Sequence, residues 1–533
     1  MKQRNLPIGI QEFDAIRRKD YYYVDKTHLI GKLIQEGQFY FLSRPRRFGK
    51  SLLVSTIEHL FLGHQSLFEG LDIYDKWDWT QKHPVVRLSF DGGELTSPEL
   101  IAGNVHEQLE TIESNEELGS SLSFSGSAAG RFRRILELLH RKYKKQVVVL
   151  IDEYDRPILD VLLKPKLAEA NRQYVRGLYG MIKGCSKYIS FTLITGISML
   201  SKMNLFSAIN NLLDITLDPE YASICGYTEH DLKTVFAPET KNFDLSKIRD
   251  WYDGYHWGSV DEAGIYNPHS VLHLFKRKSF KSWWFQGCVP QHIYEILTRK
   301  KRLPVDIGNQ VIDSNIISTF DVERINIHTL LFQSGYLTIA EEIHEYNKIK
   351  YRLTFPNLEV KQSFNEEFFR YLIDDDGTVD LEFYGKSLIQ LLAHHDFKGF
   401  KQRLHKTFAC FTHPYFQGVD LSDYECWYLT IVHASFMALG SLVVVEEVTS
   451  HGRSDMVIRY QQDVFVMEFK ATTDENVDKV AASAIEQIKD RHYLDKYQSP
   501  GNDCYLIALV FHKEKRNISK LQAVKLPSTK MTG

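Results

Sequence analysis

The sequence predicts an α/β protein in which two sheet-centred parts flank a mostly helical middle. Three observations predict it. An apolar strand, a short loop and a helix follow one another across residues 39–63. A continuous apolar run, "QVVVLIDEYD" (146–155), reads as a strand covered on both faces and ends in Asp152 and Glu153. Near the C-terminus, two alternating strands flank a turn in "GRSDMVIRYQQDVFVMEFKA" (452–471).

A chain of 533 residues is long enough for several domains with large cores. Its net charge of -3 gives no global attraction for nucleic acid, so any such site must rest on a local patch. Six cysteines lie apart, at 185, 225, 288, 410, 426 and 504, and form no C-x-x-C pair. Neither a zinc knuckle nor a disulfide framework is suggested, and free thiols in a cytoplasmic protein are expected. No secretory stretch and no apolar run of about 18 residues stands out, so no membrane partner is expected.

The first element in chain order is "FYFLSRP" (39–45), read as a short buried strand. The helix after it is "KSLLVSTIEHLFLG" (50–63), with Leu52, Leu53, Ile57, Leu60 and Phe61 at helical spacing. Gly49, Lys50 and Ser51 lie between them. A strand, a tight loop and a helix are the context a phosphate loop requires, because the helix start offers N–H groups and a positive dipole end to an anion. Lys50 would reach the terminal phosphates, and the Ser51 hydroxyl would bind Mg²⁺. Arg46, Arg47, Phe48, Gly49, Lys50, Ser51 and Leu52 are the candidate nucleotide-binding segment.

The loop begins unusually. The pattern G-x-x-x-x-G-K-[ST] wants glycine at 44, and this chain has Arg44 followed by Pro45. A residue before proline is held extended, so a straighter entrance is expected. Arg46 and Arg47 either add charge near the phosphates or form a solvated basic surface.

A second strand is "PVVRLSF" (84–90) and a fourth is "YISFTLITGIS" (188–198). Asp152 at the end of the third would hold the magnesium shell, and Glu153 would orient or deprotonate the attacking water. Thr195 and Ser198 would sense the γ-phosphate. The plain alternative is a chance Gly-Lys-Ser in a non-binding domain; the strand ending in Asp-Glu in matching context argues against it.

"GIQEFDAIRRKDYYYVDKTHLI" (9–30) together with "SRPRRFGKSLL" resembles the AAA-ATPase-like family found in many bacterial proteins, which carries R-P-R-R-F-G-K-S in place of a glycine-led loop. "LIDEYDRPI" (150–158), "TGIS" (195–198), "YNPHSVL" (266–272) and "SGYLTI" (334–339) are similar to its other landmarks. The resemblance spans most of residues 5–340. It implies a P-loop NTPase sheet with helices on both faces, of the additional-strand class, with ATP as cofactor. It also implies that Tyr23 and Asp25 lie beside the nucleotide base.

Residues 216–345 read as short helices, and the resemblance implies a lid or winged-helix module there. Thr228 and Asp231 form an approximate capping box, and Pro268 sits in the first turn of another helix. "WYDGYHW" (251–257) reads as core packing in preference to a base-stacking platform. Residues 346–415 read as a helical connector; the adjacent His394 and His395 do not share a helix face, so no metal role is expected.

In the C-terminal pair of strands, a turn centred on Gln461 and Gln462 makes paired numbers sum to 923. Asp455 then lies opposite Glu468, and Lys470 shares the face of Glu468. Asp455 and Glu468 would hold Mg²⁺ or Mn²⁺, which want oxygen ligands. Lys470 would position the attacking water or stabilise the charge of the transition state. The spacing D-x₁₂-E-x-K resembles the PD-(D/E)XK nuclease superfamily and implies a restriction-endonuclease-like α/β domain. That resemblance, over about 416–512, adds Glu425 on the preceding helix and Gln487 and Tyr493 on the following one. The proline of the name motif is absent; Ser454 precedes Asp455. The plain reading is a cross-strand charge pattern, disfavoured because facing carboxylates repel without a cation.

The expected organisation is an ATPase-like domain over 1–215, a lid over 216–345, a connector over 346–415, a nuclease-like domain over 416–513 and a tail over 514–533. The expected function is an ATPase that regulates a metal-dependent nuclease, with DNA or RNA as partner and a homo-oligomer as a further possibility. The alternative is a nucleotide-driven assembly switch with an inactive nuclease fold, suggested by the altered loop and the lack of a strong basic patch.

Overall fold

The computed structural model describes residues 3–118, 126–199, 211–258, 263–285, 291–299, 307, 310–317, 326–346, 348–373, 381–409, 425–437, 444–449, 452–490 and 503–526. The chain divides into two compact units. One holds Met1–Trp284 with Asn309–Asn357; the other holds Phe285–Gly308 with Leu358–Gly533.

The first unit is built on β1 (Phe39–Ser43), β2 (Val85–Ser89), β3 (Val147–Asp152), β4 (Ile189–Gly196) and the short β5 (Leu213–Asp214). Their order across the sheet is β2-β3-β4-β1-β5, all parallel. The loop-bearing strand β1 and the Asp-Glu strand β3 are therefore separated by β4, the order expected from the resemblance to the additional-strand class. Every residue of β1 and β3 is buried, as strands covered on both faces must be. β2 alternates between buried and half-exposed positions because it is an edge. Register aligns Ser43 with Gly196, and Asp152 with Ser89. The carboxyl ends of these strands therefore open at one end of the sheet, where ligands of open α/β sheets bind. Helix α1 (Lys50–Phe61) leaves β1 through Gly49 at φ 93°, a conformation natural to glycine.

The middle holds helices as expected, with Thr228 and Asp231 closing a full capping box and α2 (Pro268–Arg277) capped by Asn267. It also holds a sheet that the sequence reading missed. β6 (Val311–Asp313), β7 (Thr338–Glu345) and β8 (Lys348–Thr354) pair antiparallel in the order β6-β8-β7. Among the described residues, two short helices, Ser314–Ile317 and Ile327–Gln333, lie between β6 and β7. β8 falls where a purely helical connector was expected. The helix Ile327–Gln333 of this module is buried at all but one of its positions and so packs a core.

The second unit centres on β9 (Val444–Thr449), β10 (Gly452–Tyr460), β11 (Asp463–Thr472), β12 (Asp503–His512) and β13 (Asn517–Lys525), in sequential order across the sheet. β13 pairs antiparallel with β12, so the sheet runs on through residues first read as a tail. Helices α3 (Phe397–Ala409) and α4 (Glu425–Met437) pack on this sheet through Phe408 and Tyr428 against Phe511. α5 (Val477–Asp490) covers the other face. Its Ala481, Ala484, Ile485 and Ile488 bury against Val457, Val464, Val466, Leu506 and Val510, each isoleucine contributing about 1.5–3 kcal/mol.

Candidate functional sites

A cavity of about 320 Å³ opens at the carboxyl end of the N-terminal sheet. Arg46, Arg47, Gly49, Lys50, Ser51, Leu52 and Glu153 line it, with His269 of α2. A smaller space of about 80 Å³ is lined by Tyr23, Phe48, Gly49, Leu52, Thr56 and Tyr227. Tyr23 therefore stands beside the loop, its hydroxyl 3.4 Å from Thr56 Oγ1. Asp25 does not line either space; its carboxylate accepts from Thr27 N and Asp72 N and fixes local backbone.

The altered loop entrance is a buried clamp. Arg44 is 1% exposed. Its guanidinium donates to the carbonyls of Ser43 and Thr216 at 2.8 Å, and to Tyr221 at 3.2 Å. It lies 4.4 Å over the ring of Trp257. Burial pulls its pKa down to about 10, which still leaves it charged at neutral pH. Pro45 rests on Gly335, where an added Cβ would come within 2.6 Å of the proline ring. Trp284 Nε1 donates to the Arg46 carbonyl at 3.1 Å. Phe48 is wedged edge-on against Tyr255 and Trp257, and its carbonyl accepts from Gly226 N. The turn that glycine at 44 would make is made later, by Arg47 at φ 66° and Gly49. The buried Tyr252, Tyr255 and Trp257 bear out the core reading of their segment.

Lys50 is folded back, donating to the Arg44 and Pro45 carbonyls at 2.9 Å each. Burial lowers its pKa, while Asp152 and Glu153 act to raise it. Asp152 is 1% exposed and accepts from the Thr195 hydroxyl at 2.5 Å. Glu153 has φ 54° and lines the cavity; burial raises its carboxyl pKa, with Lys50 opposing. Ser198 differs from expectation. Its hydroxyl donates to buried Asp155 at 2.6 Å, and Asp155 also accepts from the backbone of Ile197 and Ser198. Ser198 thus fixes the end of β4 and does not face a phosphate.

The sequence reading missed His269. Arg47 Nη1 donates to His269 Nε2, and burial, with Arg47 and His273 adding, depresses the His269 pKa to about 3. The imidazole is therefore neutral. The signal was its place in the "YNPHSVL" landmark, in the first turn of the helix begun by Asn267-Pro268.

The second site lies at one end of the β10–β11 hairpin. The observed pairs Met456–Met467 through Tyr460–Asp463 all sum to 923, the expected register. Asp455 Oδ2 accepts from Phe469 N at 2.7 Å. Lys470 Nζ donates to Glu468 Oε1 at 3.1 Å and lies 3.7 Å from Glu425 Oε2. Glu425 also accepts from Ala471 N at 3.3 Å. Gln487 of α5 donates to Glu468 Oε1. Tyr493 lies outside the described residues. Burial disfavours the Lys470 ammonium, but Glu468, Glu425 and Asp455 outweigh it and hold its pKa above the usual lysine value. The facing carboxylates are thus offset from within the chain, contrary to the expectation that they require a bound cation.

Among the described residues, no three His, Cys, Asp or Glu side chains already stand grouped as a metal centre. The donor set at this end still suits a hard cation, because Asp455 and Glu468 offer carboxylate oxygens. Among the described residues, no helix is long and apolar enough to cross a membrane.

Fold and sites define a class: an additional-strand ATPase-like unit followed by a restriction-endonuclease-like unit. Comparison with known proteins agrees. Residues 7–206 match the AAA-ATPase-like family, described as a predicted AAA-ATPase, and residues 423–521 match the PD-(D/E)XK nuclease superfamily. The chain is 39% identical over 519 residues to an uncharacterized protein in the vnfD 5' region of Azotobacter chroococcum mcd 1, covering 97% of this chain and 98% of that one. It belongs to this family of AAA-ATPase-like proteins with a C-terminal PD-(D/E)XK nuclease superfamily domain. No solved structure matches.

Proposed function

We propose that the chain binds and hydrolyses ATP and that its ATPase regulates a metal-dependent nuclease in the second unit. The observation that carries the nuclease reading is the meeting of Asp455, Glu468, Lys470 and Glu425 at one end of one hairpin. Mg²⁺ or Mn²⁺ on Asp455 and Glu468 would supply Lewis acidity and a more acidic bound water. Lys470 orients the attacking water and balances charge on the phosphorane-like transition state. Gln487 holds Glu468 in place, and Glu425 holds Lys470.

In the first unit, Lys50 leaves the Arg44 and Pro45 carbonyls for the terminal phosphates. Ser51 and Asp152 would hold the magnesium ion that accompanies ATP, with Thr195 fixing the Asp152 carboxylate. Glu153, whose raised pKa makes it a better base, receives the proton of the attacking water. Arg46 and Arg47 add charge at the cavity wall.

A second reading, a nucleotide-driven assembly switch with an idle nuclease fold, draws on the ion pairing of Lys470 with Glu468 and on the altered entrance of the phosphate loop. The test is cleavage of labelled DNA and RNA with Mg²⁺ or Mn²⁺, with and without ATP. Cleavage that changes with ATP and is lost in Glu468→Ala is expected. Absence of metal-dependent cleavage, or cleavage that survives in Glu468→Ala, overturns the nuclease reading and leaves the switch.

A further inference from the structure

The chain as a whole is slightly acidic, yet its cations are unevenly spread in the second unit. Residues 397–409, helix α3, hold four Lys or Arg and no Asp or Glu. Residues 512–520, the β12–β13 turn and the start of β13, hold four Lys or Arg against the single Glu514. The fold joins these two segments. Lys401 Nζ donates to the Ser519 carbonyl, and Asn517 Nδ2 donates to the His405 carbonyl at 3.1 Å. Burial, with repulsion from Lys520 adding to it, lowers the Lys401 pKa. The two cation-bearing segments are therefore held side by side.

The turn sits at the catalytic end of the sheet. β11 and β12 run parallel, with Lys470 beside Val510 and Thr472 beside His512. Lys513 N donates to the Thr472 carbonyl at 2.9 Å. The cations of the turn thus begin within a few residues of Lys470. Bordering the turn, the loop from β11 into α5 has the opposite sign: residues 472–478 hold Asp474, Glu475 and Asp478 and no Lys or Arg. The Lys520–Asp478 ion pair at 2.6 Å marks where the two signs meet.

We propose that the sugar–phosphate backbone of a nucleic acid is held by the cationic track of α3 and the β12–β13 turn, through Lys401, Lys406, Lys513, Lys515 and Arg516, and reaches the carboxylate end from that side and not across the loop 472–478. This rests on the nuclease reading for its purpose, but the binding surface stands on its own charges. It supplies the local patch that the sequence reading had not found. A track that touches phosphates and no base edges binds by counterion release, independent of sequence and steeply dependent on salt.

The experiment measures fluorescence anisotropy of labelled DNA and RNA oligonucleotides with full-length protein in chelator, across a salt series, beside a separate cleavage assay with Mn²⁺. Lys515 is exposed, so Lys515→Gln should keep the wild-type melting temperature. It should weaken binding and lower the log–log salt slope by about 0.7–0.9 per lysine. Asp474→Asn/Glu475→Gln should leave binding unchanged or tighten it. Whichever of DNA and RNA responds identifies the polymer. A lysine variant that binds and cleaves like wild type overturns the track and leaves the nuclease reading standing. Lysine-dependent binding by a protein that cuts nothing upholds the track and removes the nuclease reading. No binding of either polymer overturns the track outright.

Discussion

The two sites solve the problem of holding charge in different ways. At the phosphate loop, each residue from Arg44 to Phe48 is gripped by groups far along the chain: Thr216 and Tyr221 on Arg44, Gly335 on Pro45, Trp284 on Arg46, His269 on Arg47 and Gly226 on Phe48. At the hairpin, the groups come from one pair of strands and the helices on either side of it, and the counter-charge is Lys470, two residues from Glu468. The first site is a product of the whole unit. The second is local. Damage to the middle of the chain should therefore strike nucleotide binding first, whereas the hairpin should tolerate change at its rim.

The sharpest way to break this contrast is Arg44→Met. It strips donors from several buried carbonyls at once, and each such loss costs about 1–3 kcal/mol. A stability loss of about 4 kcal/mol in urea unfolding of the first unit is expected, together with loss of ATP binding. A variant that unfolds like wild type would show that the clamp contributes nothing.

A smaller effect should come from Asp253, in the buried aromatic segment of the same clamp. Burial raises its pKa to about 6 from an ordinary 3.8. Between these values the folded state binds more protons than the unfolded one. Stability from this group is thus fully present below about pH 4 and is lost as pH rises through about 6, by no more than about 3 kcal/mol. Asp253→Asn should remove that slope, read as a melting temperature that no longer falls between pH 4 and 6 for this reason.

The smallest change in stability is expected from Glu425→Gln. This carboxylate is 46% exposed, so unfolding should shift by less than about 0.5 kcal/mol. Cleavage, in contrast, should fall, because Lys470 loses one of the carboxylates that hold it. A large stability loss here would mean that the hairpin site is not local after all.

Sequence made the local site legible and the distributed one only half so. The 923 register could be read from the turn at Gln461 and Gln462, which fixes every later pair of the hairpin, even though both of its faces are buried. The burial of β3 on both faces followed from its unbroken apolar run. β7 escaped because its second half, Glu341–Glu345, faces solvent and has no period. β13 is a half-exposed edge strand with little alternation. Arg44 was read as a loop residue because no pattern in the neighbourhood of residue 44 announces carbonyls that arrive from residues 216–222.

The lysine set among the hairpin carboxylates has a further meaning for how such a protein can be kept idle. Because the Lys470 ammonium donates to Glu468 from inside the chain, part of the charge at that end is offset by the chain itself. An incoming ion would compete with the tethered amine for the same oxygens, so readiness for chemistry would be set by ion supply instead of by folding.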